Sequence, residues 1–182
     1  KKFALISVSD KTGIDKFAKS LIKNNYIILS TGGTAKFLSS KKIANVSISE
    51  FTKFEEILEG RVKTLHPIIH AGILAKDKKS IDSLKNINYS LIDIVVVNLY
   101  PFESTISKSN CKYDDAIENI DIGGPTMLRA AAKNHRRVTV VTEPKDYEII
   151  VKEINENNQT SINTRRKLAI KVFQKISEYD AM

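Results

Sequence analysis

At 182 residues, with 42% hydrophobic and 27% charged side chains, the chain has the make-up of an ordinary globular protein long enough for one α/β domain and a sizeable core. A formal net charge of +8 raises nucleic acid as a partner, but the lysines are scattered and the longest basic cluster, His135-Arg136-Arg137, has no interleaved aromatics, so a solvated surface that draws in a small phosphorylated substrate is the expected reading. No apolar run approaches the roughly 18 residues of a membrane span, Lys1-Lys2-Phe3 has no signal-peptide pattern, and a single cysteine, Cys111, excludes an internal disulfide; a cytoplasmic protein with no membrane partner is expected.

In chain order, Phe3–Val8 is an apolar run of strand type, followed by Ile14, Phe17, Ala18, Leu21 and Ile22 at helical spacing. Tyr26–Leu29 predicts a second strand running into Ser30-Thr-Gly-Gly-Thr34 and a helix through Phe37 and Leu38. Val46–Ile48 is a weak third strand, and a short helix is expected over Phe54–Leu58. Ile68–Leu74, interrupted by His70 and Gly72, is ambiguous. A polar helix near Ile81–Leu84 precedes the strongest strand, Ile92–Val97. Asp114–Asn119 reads as helical, Val138–Val141 as a last strand, and Asp146–Asn155 and Ile162–Tyr179 as amphipathic helices.

Strands alternating with helices predict a three-layer α/β fold: a mainly parallel sheet with helices on both faces, in a single domain over residues 1–182. Such sheets bind ligands outside the carboxyl ends of their strands. Ser9-Asp-Lys-Thr12, Thr31-Gly-Gly-Thr34 and Asn98-Leu-Tyr100 each begin where a strand ends. The hydroxyls and amides of Ser30–Thr34 at a helix start can cradle a phosphate. They match neither a Walker loop nor a Gly-x-Gly-x-x-Gly turn, and a plain turn and cap fits the same residues. Ser9, Lys11 and Thr12 form a second donor cluster, and Arg61, Lys63 and Thr64 a third. Together they suggest one phosphate monoester held by several elements.

In Asn119–His135, Asp121 stands at the lip of a glycine turn, Gly123-Gly124, that opens a helix, with Pro125 suited to its first position. Free amides there favour an anion, though a plain loop-to-helix junction fits as well. His66 and His70 are four apart, but Pro67 between them disrupts a helical presentation and no Glu completes a zinc motif, so no metal is expected. With no Gly-x-Ser-x-Gly elbow either, acid–base chemistry by Lys, Tyr, Asp and His side chains is left.

Five segments then carry a resemblance: Ile6–Gly13, Leu29–Ala35, Gly60–Pro67, Val95–Phe102 and Glu118–Met127, the last followed by Ala131-Ala-Lys-Asn-His135. In these the chain resembles the IMP cyclohydrolase domain family, the amino-terminal part of the bifunctional AICAR formyltransferase/IMP cyclohydrolases. The resemblance spans nearly the whole chain. It implies a methylglyoxal-synthase-like fold and dehydrative ring closure of formyl-AICAR (FAICAR) to IMP, with no metal or organic cofactor. It places the catalytic group on Lys63, Tyr100, Asp121 and Lys133. Phosphate and ribose contacts fall on Ser9, Lys11, Thr12, Ser30, Thr31, Gly33, Thr34, Arg61 and Thr64, and base contacts on Asn98, Ile122, Gly123 and Gly124. It further implies a nucleotide as the partner, a homodimer, and a following formyltransferase domain that lies outside this chain.

The chemistry suits these residue types. A carboxamide nitrogen must lose a proton as it attacks a formyl carbon, and donors must meet the developing oxyanion. Asp121 paired with Lys133 is the expected acid–base couple, although a straight helix from Pro125 would carry Lys133 roughly 12 Å along its axis. The pair therefore requires a broken helix or a folded-back loop. A methylglyoxal-synthase-type lyase, which would not need Asn98–Phe102, and a non-catalytic nucleotide sensor, which would not need Asp121 or Lys133, are the rival readings.

Overall fold

The computed structural model describes residues 1–99, 102, 106, 107 and 109–182. Strands β1 (Lys2–Val8), β2 (Tyr26–Ser30), β3 (Val46–Ser47), β4 (Ile94–Asn98) and β5 (Thr139–Val141) form one sheet in the order β3-β2-β1-β4-β5, every pair parallel. The connecting helices are α1 (Ile14–Lys23), α2 (Gly32–Ser40), α3 (Ile48–Thr52), α4 (Pro67–Leu74), α5 (Lys78–Asn86), α6 (Tyr113–Glu118) and α7 (Gly123–Lys133), with α8 (Tyr147–Asn157) and α9 (Ile162–Asp180) closing the chain. They cover both faces, giving the expected three-layer α/β architecture.

Central strands β1 and β4 explain themselves from sequence. Ala4, Leu5, Ile6 and Val95 are completely buried, as continuous apolar runs must be when helices pack on both sides of a parallel sheet. The Leu, Ile and Val side chains among them each contribute about 1.5–3 kcal/mol by leaving water. On one face Phe17 of α1 stacks on Tyr147 of α8, with ring centroids 4.3 Å apart. On the other, α7 lies against β4 and β5 and meets α4 and α9. Ala130, Ala131 and Ala132 are buried and small enough for that close approach. The chain moves outward from β1 to β3, then crosses back to place β4 on the opposite side of β1. That reversal opens a crevice beyond the carboxyl ends of β1 and β4.

Several expected boundaries are corrected. The helix expected over Phe54–Leu58 is instead α3, which starts six residues earlier in the chain: the Ser47 hydroxyl accepts from Glu50 N–H at 3.1 Å to begin it, and Lys53 in a left-handed conformation (φ 58°) ends it. A 3-10 turn at Leu58–Gly60 follows, with φ 86° at Gly60, a value glycine adopts without strain. β3 stops at Ser47 and β4 starts at Ile94. The ambiguous Ile68–Leu74 is helical, and Pro67 opens that helix at its first position where its missing N–H costs nothing. α7 likewise begins at Gly123, so Pro125 sits inside the first turn, where amides have no intrahelical partner anyway.

α4 is fixed at its far end by Arg137. The guanidinium donates to the carbonyls of Gly72 (2.6 Å), Ile73 (2.9 Å) and Ala75 (2.8 Å) at the helix end, and to Ile92 (3.1 Å) in the approach to β4. Asn134 adds bonds to Ile73 and Ala75 at 2.8 and 2.9 Å. Asp93, 3.4 Å from Arg137, also accepts from the Phe3 amide at 3.0 Å; burial pushes its carboxyl up and the guanidinium down from their ordinary ranges. Holding α4 in this way sets where its first turn, and the segment before it, meets the crevice.

Candidate active site

A cavity of about 790 Å³ occupies the crevice, within the range of small-molecule sites. Ser7 and Val8 from the end of β1, Ser9 just after it, and Val97 and Asn98 from β4 line its base. The Asn98 carboxamide oxygen accepts from Ser9 N–H (2.7 Å), Ser9 Oγ (2.9 Å) and Asp10 N–H (2.9 Å), tying the two strand ends together. Its Nδ2 is buried without a partner among the described residues, a donor left for a ligand acceptor.

The α2 amino end supplies one wall through Thr31, Gly32, Gly33 and Thr34. Thr31 does not cap the helix; its hydroxyl lies 2.7 Å from Ser7 Oγ, so side chains leave the first-turn amides uncovered. Thr34 Oγ1 bonds Val8 N–H at 3.0 Å and Lys11 Nζ at 3.3 Å. Lys11 Nζ also donates to the Val8 carbonyl. Partial burial lowers the Lys11 pKa below the ordinary lysine value. An uncapped helix start beside an ammonium is an anion site. Gly33 has open space where a Cβ would sit and no positive φ, so its smallness serves the cavity and not a backbone strain.

Arg61, Lys63 and Thr64 form a second wall, together with Glu59 and Gly60. Arg61 forms an exposed ion pair with Glu118 at the end of α6, and Nε of the same guanidinium lies 3.3 Å from the carboxylate. Hydrogen bonding within the pair raises the arginine pKa and lowers that of the glutamate. An incoming phosphate would have to displace Glu118.

The third wall is 117–124. Asp121 Oδ1 accepts from Gly124 N–H at 2.9 Å, so the carboxylate caps the helix that follows it. The two glycines are there for closeness, not for an unusual turn: a Cβ on Gly124 would lie 2.5 Å from Asp121 Oδ2, and one on Gly123 2.6 Å from Thr64 Oγ1. Asp121 N–H donates to the Tyr179 hydroxyl at 2.8 Å. Ile122 lines the cavity with an exposed side chain.

The structure thus brings Ser9, Lys11, Thr31, Gly33, Thr34, Arg61, Lys63, Thr64, Asn98, Asp121, Ile122, Gly123 and Gly124 to one cavity. It does not bring Ser30, whose buried hydroxyl is 2.5 Å from Asn45 Oδ1 and which borders a smaller adjoining cleft. Thr12 stands outside, with its amide bonded to Asp10 Oδ1 at 2.8 Å. Tyr100 lies outside the described residues. Lys133 also stands apart from the cavity in this chain. α7 is continuous over its 11 residues, so exposed Lys133 ends it about 15 Å along the axis from Gly123 and does not line the cavity. Neither the break nor the fold-back that the Asp121–Lys133 couple needs occurs. Among the described residues no group of three or more His, Cys, Asp or Glu side chains is placed to hold a metal ion, and no helix is long and apolar enough to cross a membrane.

Sequence reasoning missed Ser7, Glu118 and Tyr179. Ser7 carried a signal, as a hydroxyl interrupting the end of an apolar strand. Glu118 and Tyr179 did not, because their partners are 57 and 58 residues away.

Comparison with known proteins adds an independent line. The model of the MGS-like domain matches residues 13–126, and that of the AICARFT/IMPCHase bienzyme matches residues 131–182. Proteins described as bifunctional purine biosynthesis protein PurH are 56% identical over 183 residues in Caldicellulosiruptor saccharolyticus, 54% over 183 in Lactobacillus acidophilus and 51% over 184 in Bacillus cereus. Each match takes in 100% of this chain, which spans 36% of the relative's length. The crystal structure of ForH is 29% identical with a TM-score of 0.91, covering 100% of this chain and 94% of that one.

Proposed function

We propose a function on one established premise: the chain belongs to the MGS-like domain family. It acts as an IMP cyclohydrolase, closing FAICAR to IMP with loss of water. The observation that carries this reading is the convergence on one cavity of an uncapped helix start with Lys11 beside it, the buried Asn98 Nδ2 donor without a partner among the described residues, and the fixed carboxylate of Asp121. The PurH relatives are bifunctional, and a bienzyme model that names the cyclohydrolase matches 131–182, which supports assigning that activity to this part.

In this reading the 5′-phosphate sits on the first-turn amides of α2 with Lys11 and Arg61, and the hydroxyls of Ser9, Thr31, Thr34 and Thr64 hold phosphate and ribose. Arg61 exchanges Glu118 for the phosphate, a bidentate anion partner for the same fork. The Asn98 carboxamide meets the heterocycle. The substrate's carboxamide nitrogen then attacks the formyl carbon, forming the C–N bond that closes the ring. Asp121 takes the nitrogen proton, and Lys63, with Tyr100 in the role the resemblance gives it, supplies donors to the formyl oxygen. That oxygen takes up this proton and then the formamide N–H proton as the C–O bond breaks and a C=N bond forms between the formamide nitrogen and the former formyl carbon, so water leaves and atoms balance with no external reagent. Both reacting arms belong to one molecule, and much of the acceleration comes from holding them in a near-attack geometry.

A nucleotide is the partner in this proposal, and the homodimer implied by the resemblance is carried with it. Incubation of the chain with FAICAR should produce IMP. Methylglyoxal formed from dihydroxyacetone phosphate would replace this reading by the lyase. Nucleotide binding without turnover of either compound would replace it by the sensor.

A further inference from the structure

Tyr179 stands in the last turn of α9, far along the chain from every motif at the site. Its hydroxyl is nevertheless 2.8 Å from the Asp121 backbone nitrogen, which donates to it. Its ring meets Phe102, in the segment after β4, edge to face at a centroid distance of 6.0 Å and an interplanar angle of 62°. The side chain is half-buried, and burial raises its pKa above the ordinary tyrosine value, so the phenol stays neutral through the physiological range. A neutral phenol in this place accepts the amide proton and keeps its own hydrogen.

Asp121 is therefore held from two directions. Its main-chain N–H is tied to α9, and its carboxylate is tied to the Gly124 amide at 2.9 Å. Gly123 is pressed against Thr64 closely enough that no Cβ fits. An acid preceding a helix can rotate about its backbone unless its amide is pinned by a neighbouring element. α9 does it, and α9 is itself packed along α7 and against β5.

We propose that Tyr179 is a positioning residue for the cyclohydrolase reaction: its hydroxyl, by accepting the Asp121 amide, fixes the direction in which the Asp121 carboxylate faces the substrate carboxamide. The inference rests on the function proposed above and deepens it. The carboxyl-terminal helix thereby has a part in the chemistry as well as in the packing.

Tyr179→Phe removes the acceptor and keeps the ring against Phe102. In the parent chain, the ¹⁵N-resolved Asp121 amide should exchange slowly with solvent; in the variant its protection should be lost, while the thermal midpoint changes little. The kcat for FAICAR closure should fall about three- to tenfold, the size of one lost neutral hydrogen bond, with KM within about twofold because the phosphate and base contacts are untouched. Tyr179→Leu, which also removes the ring packing, should lower the thermal midpoint and lose the same amide protection. An unchanged kcat in Tyr179→Phe, or an Asp121 amide as protected as in the parent, would overturn the inference; so would an equal rise in KM without a fall in kcat. A parent chain inactive on FAICAR would overturn the cyclohydrolase reading and this inference with it. An active parent with an indifferent variant would overturn this inference alone.

Discussion

Asp121 and Gly124 are locked together: the aspartate carboxylate accepts the glycine amide at 2.9 Å, and the space where a Gly124 Cβ would sit is only 2.5 Å from the other carboxylate oxygen. The proposed base and the first turn of α7 are thus one unit. A single methyl group on Gly124 must push the carboxylate aside. Gly124→Ala is expected to keep the fold, since alanine is the better helix former, and to lower kcat about 10²-fold, the scale of a misplacement near 1 Å. Steady-state kinetics beside a circular-dichroism melt would check this. Full activity would mean that the carboxylate position does not matter.

Asp121 and Lys133 stand at opposite ends of a continuous helix. Any effects on turnover of Asp121→Asn and Lys133→Ala should therefore add, to within about 0.5 kcal/mol of transition-state free energy, when both act within one chain. A double-mutant cycle on FAICAR closure measures this. A coupling well above that figure would require a geometry other than the one seen here.

Arg137 ties the end of α4 to the sheet through the carbonyls of Gly72, Ile73, Ala75 and Ile92. Lysine keeps the charge beside Asp93 but cannot reproduce the fork. Arg137→Lys should destabilise the protein by about 1.5–3 kcal/mol, the scale of a lost hydrogen bond to a charged group, because Gly72 keeps the Ile92 amide and Ile73 and Ala75 keep Asn134 as donors. Chemical denaturation would read the loss as a shift of midpoint at constant slope.

His70, half-buried on α4, has its pKa lowered from the ordinary value of 6.5, first by desolvation and only partly offset by a hydrogen bond at the Thr64 backbone. Below that value the unfolded chain takes up a proton that the folded one resists. Stability should therefore fall as pH drops through about 6.5 towards the depressed folded value, and be fully present above it. Urea midpoints across pH 5 to 8 should show that slope in the parent and a shallower one in His70→Gln.

The parallel sheet is legible in the sequence because β1 and β4 are uninterrupted apolar runs, a pattern that burial on both faces requires. Ser9, Lys11, Thr31, Thr34 and Asn98 meet at one rim because the motifs that hold them begin at strand ends. The features that are not legible there are decided at long range or by a single cap. α3 hinges on Ser47 accepting the Glu50 amide, which looks like any serine in the chain. The Ser30 hydroxyl belongs to Asn45 and not to the main cavity. The grip of Arg137 on α4 and of Tyr179 on Asp121 joins residues about 60 positions apart, which no local pattern encodes.

The central claim is that the cavity at the β1/β4 crossover closes the purine ring through Asp121. The most direct measurement is the ultraviolet appearance of IMP from FAICAR under saturating conditions, made side by side on the purified chain and its Asp121→Asn variant, with IMP affinity measured for both. The account predicts steady formation of IMP by the parent, a fall in kcat of about 10²-fold or more in the variant, and similar IMP affinity in the two. Equal turnover by parent and variant, or no IMP from a parent that binds the nucleotide, would contradict it.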